Sequence, residues 1–69
     1  EFTFDGGKVE YCYSDERIRI YFDKIPDVEI RTKLKSEAFK WSPKNQAWQR
    51  QLTPNAIRAT ERVLGVGIS

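Results

Sequence analysis

A chain of 69 residues is long enough for one small domain, and at that size folding removes only about 60% of the unfolded chain's surface from water, so stability is thin. One cysteine and no histidine exclude an internal disulfide framework and the usual zinc ligand sets, leaving two Trp, three Tyr and four Phe to supply much of the core. The net charge of +2 is unevenly placed: residues 1–30 carry four basic and eight acidic side chains (−4), residues 31–69 carry eight and two (+6), and such asymmetry points to an anionic partner.

In chain order, FTF is separated from KVEYCY by Gly6-Gly7, which reads as a turn. Val9, Tyr11 and Tyr13 then alternate with Lys8, Glu10 and Cys12, the period of a strand. After a turn at Ser14-Asp15-Glu16, RIRIYF alternates again, with Ile18, Ile20 and Phe22 facing one way and Arg17, Arg19 and Tyr21 the other. Pro26 suits the first turn of a helix. Asp27 and Glu29 fall where the helix dipole favours anions, and Lys33 and Lys35 toward the end that favours cations. Ile30, Leu34 and Ala38 share a face, so a helix is predicted over 26–36.

FKW reads as a short strand and Ser42-Pro43-Lys44-Asn45 as a turn, with asparagine in the left-handed conformation that closes it. AWQRQL is the returning strand. Thr53 caps a second helix with Pro54 at its first position, Ala56, Ile57, Thr60, Val63 and Leu64 form its inner face, and Gly65 ends it. The order β-β-β-α-β-β-α predicts a single α+β domain: an antiparallel sheet of about four to five strands with two helices packed on one face. The expected core is Ile18, Ile20, Phe22, Ile30, Leu34, Phe39, Trp48, Ile57, Val63 and Leu64.

Trp41, flanked by Lys40 and Ser42 beside the turn, is open to packing or to partial exposure. Asn45, Gln46, Gln49 and Gln51 surround Trp48, and such amides, with Arg, hydrogen-bond base edges and phosphates; an exposed ring can stack a base. Asn55, Arg58 and Arg62 form one outward stripe on the second helix. The expected nucleic-acid surface is therefore Lys40, Lys44, Arg50, Arg58 and Arg62 on phosphates with Trp41 stacking, extended by Arg17 and Arg19 if the sheet's outer face is open. Arg50 has a second reading, because alternation puts it on Trp48's side, where it would lie along the ring and present only its head.

Catalysis finds little support. No histidine serves as proton shuttle, Cys12 lacks a partner base, Gly6-Gly7 lacks the spacing of a phosphate loop, and the carboxylates form no evident pair. No catalytic residue, metal or cofactor is expected. No apolar run approaches the roughly 20 residues of a membrane helix, and an N-terminus reading EFTFDGG has no signal-peptide character. A start without methionine reads as a piece of a larger protein, and a lone thiol without export signal fits the cytoplasm.

The stretch RIRIYFDKIPDVEIRTKLKSEAFKWSPKNQAWQRQLTPNA resembles a small module of large, poorly characterised proteins of phages and conjugative elements. In that group a strand leads to a proline-started helix, an aromatic-basic-Trp strand, a Ser/Ala-Pro turn and a Trp-Gln-Arg strand ahead of a second helix. The resemblance covers about residues 17–64, with Phe22, Pro26, Arg31, Leu34, Phe39, Trp41, Pro43, Trp48, Gln49, Arg50, Leu52, Asn55 and Ala56 at the marked positions. The chain departs at Ala38, where the group usually has the glycine that closes the helix. A shorter likeness is to the HARP domain of annealing helicases. Both imply work near DNA without a catalytic site. The expectation is a non-catalytic nucleic-acid-binding accessory module of a mobile-element or phage protein, with DNA ahead of RNA as partner. The alternatives are a module docking a protein partner or a neighbouring domain, and a phage inhibitor of a host nuclease.

Overall fold

The computed structural model describes residues 2–65. The described elements are β1 (Phe2–Phe4), β2 (Gly7–Cys12), β3 (Arg17–Phe22), α1 (Val28–Ser36), β4 (Lys40–Ser42), β5 (Ala47–Gln51) and α2 (Pro54–Leu64). The strands form one antiparallel sheet in the order β1-β2-β3-β5-β4, so β5 is inserted between β3 and β4. The α+β class and element order are those expected from the two changes of hydrophobic period. Val9, Ile20 and Trp48 stand opposite one another across β2, β3 and β5 and so share a face. Together with Ile18 they join Leu34 of α1 and Ala56, Ala59 and Val63 of α2 in one buried cluster, so both helices cover the same side of the sheet.

Of the expected core, Ile18, Ile20, Leu34, Phe39, Trp48 and Val63 are buried. Phe22, Ile30, Ile57 and Leu64 pack against this cluster while partly buried. Val9, Ala47, Ala56 and Ala59 complete it. The buried Thr60 hydroxyl donates to the carbonyl of Ala56 at 2.8 Å, so its burial leaves no polar group unmet. Tyr13 does not continue β2's inner face: the strand ends at Cys12, and Tyr13 is exposed in the turn.

Three turns differ in detail from the expected ones. Gly7 belongs to β2, leaving Asp5-Gly6 as the two-residue turn, with Gly6 at φ 108. In the β4–β5 turn the left-handed residue is Gln46 (φ 52), not Asn45. Asn45 instead directs its side-chain amide to Ser42 Oγ at 3.1 Å, and the turn closes one residue later, at Gln46. Before α1, Pro26 lies outside the helix and Asp27 is the cap, its carboxylate accepting from the Ile30 amide at 3.1 Å. α2 is as expected, with Thr53 Oγ1 accepting from the Ala56 amide at 3.1 Å, Pro54 first and Gly65 left-handed.

The end of α1 explains the departure at Ala38. The Phe39 amide donates to the carbonyl of Leu34 at 2.9 Å and the Ala38 amide to that of Lys35 at 3.2 Å, the paired bonds of a Schellman motif. Ala38 carries the required positive φ of 67 itself. Phe39 and Leu34, joined by that bond, are both buried in the core, which holds the cap closed. A left-handed non-glycine residue costs roughly 1–2 kcal/mol, less the unfolded-state entropy a glycine adds. Ala38→Gly is therefore expected to stabilise the domain by about 0.5–1 kcal/mol, read as a higher urea midpoint at unchanged slope. A lower midpoint would show that the cap carries no strain.

Candidate nucleic-acid interface

The eight cationic and aromatic residues singled out in the sequence do not form one surface. They separate because the helices cover one face of the sheet and no other element among the described residues covers the opposite one.

On the open face, cross-strand pairing sets Glu10, Arg19, Gln49 and Lys40 in one row over β2, β3, β5 and β4. Arg19 is fully engaged there: Nε donates to Gln49 Oε1 at 2.9 Å, Nη1 to Cys12 Sγ at 2.9 Å and Nη2 to Asp15 Oδ2 at 3.1 Å. Arg17 donates to the carbonyl of Glu16 at 3.1 Å, tying down the β2–β3 turn. Lys40 is exposed at the edge of this face. Burial, with a hydrogen bond to Glu10, pushes the Cys12 thiol up against the opposing pull of Arg19, which keeps it protonated at neutral pH.

On the helix layer, Arg58 is exposed, and Arg62 grips the Glu37 carboxylate with two bonds, Nε to Oε2 at 3.0 Å and Nη2 to Oε1 at 2.9 Å. These bonds hold the Glu37 carboxyl below its usual range. Arg50 lies on Trp48's side of the sheet, as alternation puts it, but its guanidinium sits by Phe39 rather than along the Trp48 ring. Its side chain lies on the inner side, with the guanidinium 5.9 Å from the Phe39 ring centroid and Nη1 donating to the Glu37 carbonyl at 2.8 Å. Arg50 and Arg62 thus close the end of α1 onto β5 and α2, Arg62 with its charge paired to Glu37 and Arg50 with its guanidinium held by a backbone carbonyl and the Phe39 ring.

Trp41 and Lys44 belong to a third region. Trp41 stands directly opposite Trp48 in the β4–β5 ladder, ring centroids 5.8 Å apart and planes tilted by 60°. Trp48 is 6% exposed, whereas Trp41, on an edge strand, is 49% exposed. The two rings flank a groove of about 900 Å³ between α1 and the β4–β5 hairpin. Phe22, Asp23, Lys24, Ile25 and Pro26 line it from the β3–α1 connection, Arg31 and Lys35 from α1, and Pro43 and Gln46 from the hairpin turn. Lys44 is exposed in the same turn. Among the described residues, Lys24, Arg31, Lys35 and Lys44 form no ion pair, unlike Arg19 and Arg62. Asp23 is the one acid of the lining, against three cations.

Sequence reasoning did not place Arg31, Lys35 and Lys24 in the site. Arg31 and Lys35 are four residues apart and therefore share one face of α1, a spacing visible in the sequence. What faces them is set by the tertiary fold. Among the described residues, no group of three or more His, Cys, Asp or Glu side chains is placed to hold a metal ion, and no helix is long and apolar enough to cross a membrane. No family model matches this chain, and no match was found among curated proteins or solved structures.

Proposed function

We propose that this chain is a non-catalytic nucleic-acid-binding accessory module, acting in the cytoplasm as part of a mobile-element or phage protein. The observation that carries the reading is the groove: a half-exposed indole faces three cations that no carboxylate among the described residues neutralises. Cations of this kind attract a polyphosphate backbone and release its counterions, and a ring of this kind stacks a base. The resemblance of residues 17–64 to a module of phage and conjugative-element proteins agrees with that assignment.

The test is a titration of single- and double-stranded DNA and RNA at two salt concentrations, with an Arg31→Gln/Lys35→Gln/Lys44→Gln variant alongside. All three side chains are exposed, so the variant is expected to fold. Binding should weaken steeply with salt, and the slope of log K against log salt should fall by about one for each phosphate contact removed. Absence of binding at low salt, or binding that the variant leaves unchanged, rejects the reading.

One observation favours a different occupant. Ile25 is 86% exposed in the groove lining, and Val28, at the start of α1, is 65% exposed. If the groove docks a protein partner instead, these side chains with Trp41 are the apolar contact, and binding would tolerate salt.

A further inference from the structure

We infer that the groove takes an unpaired nucleotide, so that the chain selects single-stranded over duplex DNA. This rests on the nucleic-acid reading above and narrows it to a class of substrate.

The geometry favours a base over a backbone alone. The β4–β5 ladder holds the backbone of Trp41 and its ring lies against the buried Trp48, which lowers the ordering cost of stacking on it. Arg31 and Lys35 stand one helical turn apart on the facing wall. Their charges are uncompensated among the described residues and available to the phosphates on either side of a stacked base. A groove of about 900 Å³ lies at the upper end of the range of small-ligand sites, roughly 300–1,000 Å³. In a duplex each base is covered by its neighbours above and below, and its π-face reaches a protein ring only after unstacking, at a cost of a few kcal/mol. An unpaired strand offers that face freely.

The experiment compares a fluorescent oligothymidine of about 12 nucleotides, within the usual span of single-strand sites, with a blunt duplex of the same length at low salt. The single strand is expected to bind at least about tenfold tighter and to quench tryptophan emission. Trp41→Ala should weaken single-strand binding about 5- to 150-fold, the equivalent of one stacked base, and leave duplex binding unchanged. Trp41→Leu, which keeps apolar bulk without a π-face, should behave like Trp41→Ala. The single-strand to duplex ratio of the unaltered chain decides the matter even if a Trp41 variant fails to fold. Equal affinity for duplex and single strand, with both weakened by the Arg31/Lys35/Lys44 variant, overturns this inference and leaves the nucleic-acid reading standing. Single-strand affinity unmoved by either Trp41 change also overturns it. No binding of either probe at low salt removes both.

Discussion

Trp48→Ala is expected to unfold the domain. The ring is 6% exposed, stands opposite Ile20 in the centre of the sheet and belongs to the cluster that holds both helices. Truncating a buried tryptophan costs about 3–5 kcal/mol, the sum of lost transfer energy and the cavity left behind. A domain of 69 residues, at ~0.05–0.15 kcal/mol per residue, has only about 3–10 kcal/mol in total. The variant should lose its cooperative melt by circular dichroism, or melt tens of degrees lower. A melt within a few degrees of the parent would show that Trp48 is not part of the core. The cavity would also remove the support behind Trp41, so any binding lost in this variant says nothing about the groove.

Gly7→Ala is expected to be nearly as damaging, for the opposite reason. Gly7 lies in β2 opposite Phe22 and next to Phe4 of β1, and the rings of those two residues meet edge to face with centroids 5.8 Å apart. A methyl group on Gly7 would overlap the carbonyl oxygen of Tyr21 and come within 2.9 Å of Phe4 Cζ. Phe4 Cζ is the far end of a side chain, but the Tyr21 carbonyl is backbone in the neighbouring strand and moves only if the β2–β3 ladder opens. Overpacking that shifts backbone costs about 1–3 kcal/mol, and an overlap this close with a carbonyl oxygen belongs at the upper end. The neighbouring Gly6→Ala is the informative control. Nothing lies within 4 Å of its missing Cβ, so its penalty comes from φ 108 alone and leaves the ladder intact. If Gly7→Ala proved the milder of the two, close strand approach would not be the reason for the glycine.

The places where the sequence was legible share a cause. RIRIYF and TPNAIRATERVLG each carry a period and, for the helix, both cap residues, so local physics and tertiary packing agree. Pro26 misled because proline is equally at home just before a cap, and the Asp27 carboxylate settled the start of α1. Asn45 misled because its side chain found Ser42, leaving the left-handed position to Gln46. The site was less legible. Alternation put Arg50 on Trp48's side of the sheet, where it lies, and left Trp41 open, which the ladder places opposite Trp48. It could not show that Phe39 and the end of α1 would cover Arg50 while Trp41 stayed half exposed on an edge strand. Nor could it bring Arg31 and Lys35 opposite that ring, since the distance between α1 and the hairpin belongs to the whole fold. Arg17 and Arg19 were tied to an open outer face, and the face is open, but Arg19's charge is already engaged by Asp15.

The insertion of β5 between β3 and β4 has a consequence for how the chain acquires its structure. The hairpins β1–β2–β3 and β4–β5 are each local, yet the seam that joins them pairs Arg17 with Gln51 and Ile20 with Trp48, across the whole of α1. Neither half has a buried face by itself: Ile18 and Ile20 wait for Trp48, and Leu34 waits for both. A growing chain that has not yet supplied residue 51 therefore holds an unpaired β3 edge and no core. Closing the loop between these strands carries an entropy cost that falls due before the seam's contacts can repay it.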